Sequence, residues 1–543
     1  MPQHHAPQGL RNILRFYTQR RLLSIFLFGI ASGFPWVMIG SSMSAWLNEA
    51  GMSRSAIGYF GAVYVMYSVN FLWSPLVDRI KIPALTQWLG QRRGWILFCQ
   101  LGLAVTCFAL STINFEVHAL TTAGLIALAV ATFSATQDIA IDAYRIDSIG
   151  EHEGTVQSAA AAMATSGWWT GFAGIGSIPF FLSELPGWDW ATIYKGLAFI
   201  MLLLTSGIWL AREPYTNRAE RQFNAEQRYI AAAVSRPSLS FSLPLLGFTL
   251  FALLALAITR MEEASASQWA LWGLCVLAAF ALATRNLMAL ERHTNGSASA
   301  AHTPTSHTLI RSHHRISAWL IVTMIEPLAE FFRRNGVRFA LSILLFVLLF
   351  KVGEAFLGRM SIVFYQEIGF SNAQIGVYSK LLNWWVTIFF SLVGSYVTMR
   401  AGIIKGLFIG GSAMALSNLF FAALALIGPS EPLLVAAVIV DGFTSAWSTV
   451  AFVALISLMT NRAFTASQYA LMASIATLGR TLLGSYSGAL VDWLNGNWAL
   501  FFVITTVMVL PSLLFLWSIR KPIQDLEQAG KNKQRNTENG EQT

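Results

Sequence analysis

The stretch Glu49-Ala-Gly51-Met-Ser53-Arg-Ser-Ala-Ile57-Gly58 recurs as Glu367-Ile-Gly369-Phe-Ser371-Asn-Ala-Gln-Ile375-Gly376, with five identities in ten positions. Each copy joins the first two long apolar runs of its own half of the chain. The pattern has a mechanical meaning: Gly ends one helix, Ser caps the next, and Ile-Gly lets that next helix pack closely at its start. A junction that recurs at one offset predicts two related halves, each built around the same order of helices.

Working outward from the two copies, apolar runs lie near 21–46, 55–77, 94–112, 119–143, 155–182 and 190–211, then near 338–360, 372–398, 403–427, 432–459, 464–490 and 497–519. Each is close to the roughly 20 residues needed to cross a bilayer as a helix, which satisfies its own backbone polar groups there. Composition agrees: 55% of the residues are hydrophobic and 12% charged, against about 25% charged in soluble chains. The expected fold is an all-α integral membrane protein of two six-helix bundles, 21–211 and 338–519, with an inserted apolar pair at 243–259 and 266–283. That pair is a membrane hairpin (12 + 2 spans) or, alternatively, two buried or interfacial helices within the inter-bundle region 212–337. The Ser-, Thr- and His-rich stretch 284–315 reads as a linker, because it cannot bury enough apolar surface to order itself. Ala318 to Arg334 reads as an interfacial helix, and the ends, 1–20 and 520–543, as polar tails.

Basic residues of the short loops, Arg79, Lys81, Arg92, Arg93, Arg145, Arg400, Lys405 and Arg462, all fall on one side, which the positive-inside rule makes cytoplasmic, together with both termini. The same rule accounts for the net charge of +9 without a nucleic-acid partner. RNILRFYTQRR is similar to a signal-peptide n-region, but the run after it is too long, so it reads as a retained first span. Cys99, Cys107 and Cys275 lie in apolar runs without ligand spacing, so they read as packing residues. With no metal-ligand cluster, no nucleophile and base pair, and no cofactor motif, an enzyme is not expected.

Charges inside spans are the strongest functional pointers, since each is costly unless it faces protein or water. Lys351 and Glu354 sit at i and i+3, able to pair with each other or to release that pairing for a solute. Asp441, about 12 Å into its span, is flanked by Gly442, Thr444, Ser445, Ser448 and Thr449; it is a coupling carboxylate or a structural partner of Arg480. Gln137-Asp138 and Asp142 place two carboxylates on one face near the basic mouth, Gln137 and Asp138 being candidates for solute or proton contact. With Asp78, Arg79, Arg92, Arg93 and Arg145 they suggest a charged gate, Asp138 being either gate or proton site. Trp168-Trp169 and Asn383-Trp384-Trp385 fall near mid-span, where an indole face could stack on a sugar or simply pack helices, and at most one of each adjacent pair could line a cavity. Gly33-Phe34-Pro35 predicts a kink in the first span.

Six-span halves repeating in parallel resemble the plan of the major facilitator superfamily, with a site between halves near the midplane. Within it, the sequence resembles the AmpG family of muropeptide permeases. In the first half the resemblance rests on Phe71-Leu-Trp-Ser-Pro-Leu-Val-Asp78-Arg79, Arg92-Arg93-Gly94-Trp95, and Ser134-Ala-Thr-Gln137-Asp138 with Asp142-Ala-Tyr. In the second it rests on Phe332-Arg333-Arg334, Lys351-Val-Gly-Glu354-Ala-Phe, Ala451-Phe-Val-Ala-Leu, and Phe464-Thr-Ala-Ser-Gln468-Tyr-Ala-Leu to Gly479-Arg480. The resemblance implies proton-driven import of anhydromuropeptides across a bacterial inner membrane by a monomer, for cell-wall recycling and β-lactamase induction. On that basis Lys351 and Arg480 would meet peptide carboxylates, aromatic faces two sugars, and buried acids protons. The sequence departs from the family pattern at Ala164-Thr165-Ser166-Gly167-Trp168, which lacks an arginine, and at Glu354 and Asp441, where Asp and Glu are expected. Alternatives are a related facilitator for a siderophore, peptide or acetyl-CoA, and a transport-inactive sensor.

Overall fold

The computed structural model describes residues 15–50, 60–114, 120–149, 154–183, 185–235, 318–484 and 486–540, with isolated positions between 249 and 289. Among the described residues there is no strand. The principal helices, in chain order, are α1 (Arg20–Leu47), α2 (Ser74–Arg79), α3 (Gln91–Leu110), α4 (Leu120–Asp147), α5 (Gly154–Trp169), α6 (Trp190–Leu210), α7 (Arg218–Ser235), α8 (Glu326–Asn335), α9 (Val337–Glu367), α10 (Val377–Ala401), α11 (Ile403–Ile427), α12 (Glu431–Met459), α13 (Thr465–Gly484) and α14 (Trp498–Gln528). Nine of them, among the described residues, are long and apolar enough to cross a membrane: α1, α3, α4, α6, α9, α10, α11, α12 and α14.

Three of the expected runs are not among these nine. The run at 55–77 is described from Phe60, where the chain passes through tight turns at Gly61–Tyr64 and Asn70–Leu72 before Pro75 opens α2. The run at 155–182 is α5 followed by a wide π turn at Thr170–Gly174 and a tight one at Ile175–Ser177. The run at 464–490 is α13 and then the short helix Ser487–Trp493. Apolar length is preserved in all three; hydropathy carries no mark for a local change of helical pitch. Two other runs are longer than expected: α9 extends to Glu367, and the helix of α14 continues to Gly540, through most of the expected tail.

In the second copy of the repeated stretch, Gly369 has φ +105, a conformation that favours glycine. Ser371 and Gln374 then exchange backbone-to-side-chain hydrogen bonds, Gln374 N to Ser371 Oγ at 3.2 Å and Ser371 N to Gln374 Oε1 at 2.9 Å, a reciprocal cap. Residues 51–59 of the first copy lie outside the described residues.

Helix α1 bends at Phe34. Pro35 has no N–H, so the carbonyl of Ala31 loses its helical partner. Gln137 Nε2 on α4 donates to that carbonyl at 2.7 Å, so the kink is repaired from a neighbouring helix. Below the bend, α1 and α5 touch backbone to backbone: a Cβ on Gly33 would sit 2.1 Å from the Trp168 carbonyl, and one on Gly167 2.2 Å from that of Phe26. Helix α9 breaks at Lys351, as far from Gly33 as Glu367 is from Glu49, so the first helix of each half bends at an equivalent place.

Both halves belong to one compact unit, Met1–Tyr215 with Gly336–Asn461 and Thr465–Thr543. A second unit comprises Thr216–Asn335 with Arg462–Phe464. In it α7 lays Ala225, Tyr229 and Ile230 against Ala318, Ile321, Val322 and Phe464. Tyr229 Oη donates to Glu326 Oε2 at 2.6 Å, and Gln222 Nε2 to the Ala463 carbonyl at 2.9 Å. The apolar pair 243–259 and 266–283 and the linker 284–315 lie, isolated positions apart, outside the described residues.

Candidate functional site

The start of α3 and the end of α4 meet α2 in a buried charge network. Arg92 donates through Nη2 to Asp78 Oδ1 at 2.9 Å and through Nε to Asp147 Oδ2 at 2.8 Å, and all three side chains are at most 2% exposed. Charges taken so far from water need partners on every side. The remaining partners come from the other half. Asp78 accepts from Ala466 N at 3.3 Å, Ser467 N at 3.0 Å and Ser467 Oγ at 2.7 Å, the amides that the first turn of α13 leaves without intrahelical partners. Asp147 Oδ1 accepts from Thr465 Oγ1 at 2.7 Å. Beside this network, Arg145 pairs with Asp142 at 3.1 Å, donates to Ser457 Oγ on α12 at 2.9 Å, and lies 5.0 Å from the Tyr469 ring centre on α13.

The expected single gate is therefore divided. Asp78 and Arg92 form one set; Asp142 and Arg145 form another. Arg93 joins neither: its Nη2 donates to the Ile208 carbonyl at 2.9 Å and its amide to Glu213, while Arg79 closes the last turn of α2. Asp147, Thr465 and Ser467 were not among the expected site residues. The visible signal for them was a third carboxylate ending α4 and a Thr-Ala-Ser start to α13, which have meaning only once the two are brought together.

The second polar cluster lies wholly in the second half, where α9 breaks. Lys351 is bonded to the Glu354 carboxylate and donates to Ser448 Oγ and Thr449 Oγ1, each at 2.8 Å; Ser445 Oγ donates to Glu354 Oε1 at 3.1 Å. The lysine side chain is 5% exposed and the glutamate 19%. Asp441, on the same helix as these hydroxyls, accepts from Ser417 Oγ at 3.4 Å. Among the described residues it forms no ion pair with Arg480, which is exposed, so the structural alternative for Asp441 is not seen. Asn383 is packed against Gly442, the residue after Asp441: a Cβ on Gly442 would fall 2.5 Å from Asn383 Oδ1.

In the first half, Asp138 accepts from Ser32 Oγ at 2.6 Å, next to the α1 bend that Gln137 repairs. Gln137 thus has a structural partner at the place where a solute contact was expected. The four mid-span tryptophans do not form one platform. Trp168 stacks on Phe172 with ring centres 4.9 Å apart and meets Trp36 edge-on at 5.8 Å. Trp169 lies edge-on to Trp168 at 5.6 Å. Trp384 crosses to the first half, so close that a Cβ on Gly174 would lie 2.5 Å from its ring, whereas Trp385 is 63% exposed. Among the described residues there is no group of three His, Cys, Asp or Glu side chains able to hold a metal ion.

Residues 337–539 match the model of the Major Facilitator Superfamily. Over nearly the whole chain, the protein is 29% identical to transporter AmpG 4 of Rickettsia conorii, covering 93% of this chain and 97% of that one. Along nearly its whole length the chain is thus similar to AmpG transporters. The anhydromuropeptide permease of Escherichia coli is 24% identical over 94% of this chain and 82% of its own length. Among solved structures, the proton:xylose symporter XylE superposes with a TM-score of 0.55 at 12% identity, covering 93% of this chain and 96% of that one, a likeness of fold. The match to the family model falls on the second half alone; it is the AmpG relatives that carry the relationship across the first half. The chain is a multi-pass membrane protein similar to these transporters, and these likenesses give no support to an enzyme.

Proposed function

We propose that this transporter imports anhydromuropeptides, fragments carrying GlcNAc and anhydro-MurNAc with attached peptide, from periplasm to cytoplasm by proton symport. The observation that carries the reading is the cluster at the α9 break: a lysine and a glutamate paired within a membrane-spanning helix, ringed by three hydroxyls, with a further carboxylate on the adjoining helix. A cation held this way can exchange its carboxylate partner for that of a peptide, and an acid so placed can gain or lose a proton as its access to water changes. Kinship with the Escherichia coli permease supports the choice of solute.

In this reading the face bearing Arg79, Arg92 and Arg145 is cytoplasmic in a bacterial inner membrane, both termini lie there, and the 12 + 2 span plan holds. Asp78, Arg92 and Asp147, with the start of α13, close that face by bonding the halves together. Asp441 and Asp138 are the proton candidates, and Trp168 and Trp384 the aromatic surfaces nearest the junction of the halves. The test is uptake of labelled GlcNAc-anhydro-MurNAc-peptide by cells lacking their own permease. Uptake is expected with this gene, abolished by a protonophore and lost in Lys351→Ala and Asp441→Asn. Uptake of a siderophore or acetyl-CoA in its place, or uptake indifferent to the protonophore, would contradict the proposal.

A further inference from the structure

Two tryptophans bind two glutamates in the same way. Trp190 Nε1 donates to Glu49 Oε2 at 2.6 Å, and Trp498 Nε1 to Glu367 Oε2 at 2.7 Å. Each glutamate ends the first long helix of its half and opens one copy of the repeated stretch; each tryptophan is the first residue of the last long helix of that half. The residue before each tryptophan caps its helix, Asp189 accepting from Thr192 N at 2.8 Å and Asn497 from Leu500 N at 3.0 Å. A single indole-to-carboxylate bond would be ordinary chemistry. The same bond at equivalent places in both halves, held by equivalent caps, although little beyond Trp-Ala is identical between the two sequences at that point, marks a contact with a task.

The opposite ends of these last helices carry a second matched pair. Glu213 accepts from the amides of Arg92 at 2.8 Å and Arg93 at 3.1 Å, at the start of α3. Glu527 accepts from the amide of Ile403 at 3.3 Å, at the start of α11. Each of these glutamates lies against a glycine of nearly the same conformation, Gly90 with φ +92 and Gly402 with φ +91, where a Cβ would press on the carboxylate side chain. In both halves, therefore, the last helix is tied at one face to the first helix and at the other face to the third.

We infer that these four glutamates are positioning residues that clamp each half at both faces, so that each half moves as one body. Glu49 and Glu367 keep the end of the first helix against the start of the last while the halves shift relative to each other. The bend in α1 and the break in α9 make such ties necessary, because a helix interrupted near its middle does not transmit the position of one end to the other. The inference concerns motion within a half and holds whatever solute is carried.

The test measures that motion in the full-length chain. Spin labels at Ser44 and Lys195, both exposed, report the distance across the Glu49 and Trp190 tie. A Cys275→Ser background removes the exposed cysteine, Cys99 and Cys107 being buried. In lipid nanodiscs at pH 5 and pH 8 the distance distribution is expected to be narrow and the same. In Glu49→Ala and in Trp190→Phe it is expected to widen at least twofold, the double variant being no wider than either single one. Glu49→Gln, which keeps an acceptor oxygen, is expected to stay narrow. A wild-type distance that changes with pH would overturn the inference, as would an unchanged width in Glu49→Ala and Trp190→Phe, or widening in Glu49→Gln equal to that in Glu49→Ala. Since the readout is a distance within one half, its failure is separate from any failure of uptake.

Discussion

The two faces of the molecule use their carboxylates differently. At the basic face, Asp78 and Asp147 reach from the first half to the start of α13 in the second, and are buried with Arg92 between them. At the opposite face, Glu49 and Glu367 each stay inside their own half and are exposed. The difference separates two tasks: holding a half together, and holding the halves to each other. In the proposed cycle of alternating access, the first survives every conformation and the second breaks.

The largest effect that could break this comparison is expected at Arg92. Replacement by Ala leaves two buried carboxylates without their cation and should cost about 3–5 kcal/mol of stability, seen as a fall in melting temperature of the purified protein. If Glu49→Ala costs as much, the two faces do not differ in kind. Next comes Lys351→Ala, which strands Glu354 in a less enclosed site; it should cost about 3 kcal/mol, and the double variant Lys351→Ala with Glu354→Ala should lose less than the single one. A double variant no better than the single would show that hydroxyl partners, and not the ion pair, dominate the cluster.

Ser467→Ala removes one charge-assisted hydrogen bond between halves, about 1.5 kcal/mol, and should shift the balance toward parted halves roughly tenfold. Distances between labels placed across the basic face should report that shift, while the Ser44 and Lys195 distance stays unchanged. The smallest effect is at Asp189. Replacement by Ala should cost about 1 kcal/mol as a lost helix cap. Hydrogen bonding from Thr192 holds this carboxyl below its ordinary value of 3.8. Its contribution is therefore full above the ordinary value and disappears as pH falls through the lowered one, so the wild type and Asp189→Ala should melt at closer temperatures at pH 2 than at pH 6.

Much of the fold is legible because it is written locally. Apolar runs, the turn glycine at 369 and the Pro35 bend each declare themselves within a few residues. The Lys351 and Glu354 pairing is legible for the same reason, being one helical turn. What escaped is non-local. Asp147 and Thr465 stand 318 residues apart, and no spacing rule links a carboxylate ending one helix to a hydroxyl starting another. Glu49 could be seen as part of a repeat, but its indole partner could not, because Trp190 and Trp498 are 308 residues apart while Glu49 and Glu367 are 318 apart. Gln137 looked like a solute ligand because its neighbour is a buried acid; its partner is a carbonyl stripped of its amide by a proline 102 positions earlier. The breaks within 60–79 and 154–183 depend on packing that hydropathy does not record.

The arrangement around Arg92 has an electrostatic consequence. Arg92, Asp78 and Asp147 all belong to the same half, so separating the halves there pulls two carboxylates from amides and hydroxyls and leaves the pairs of Arg92 with Asp78 and Asp147 intact. Screening acts strongly on the attraction between separated full charges and weakly on short contacts with dipoles. These contacts between the halves are thereby insulated from ionic strength: salt in the surrounding solution has little purchase on whether they part.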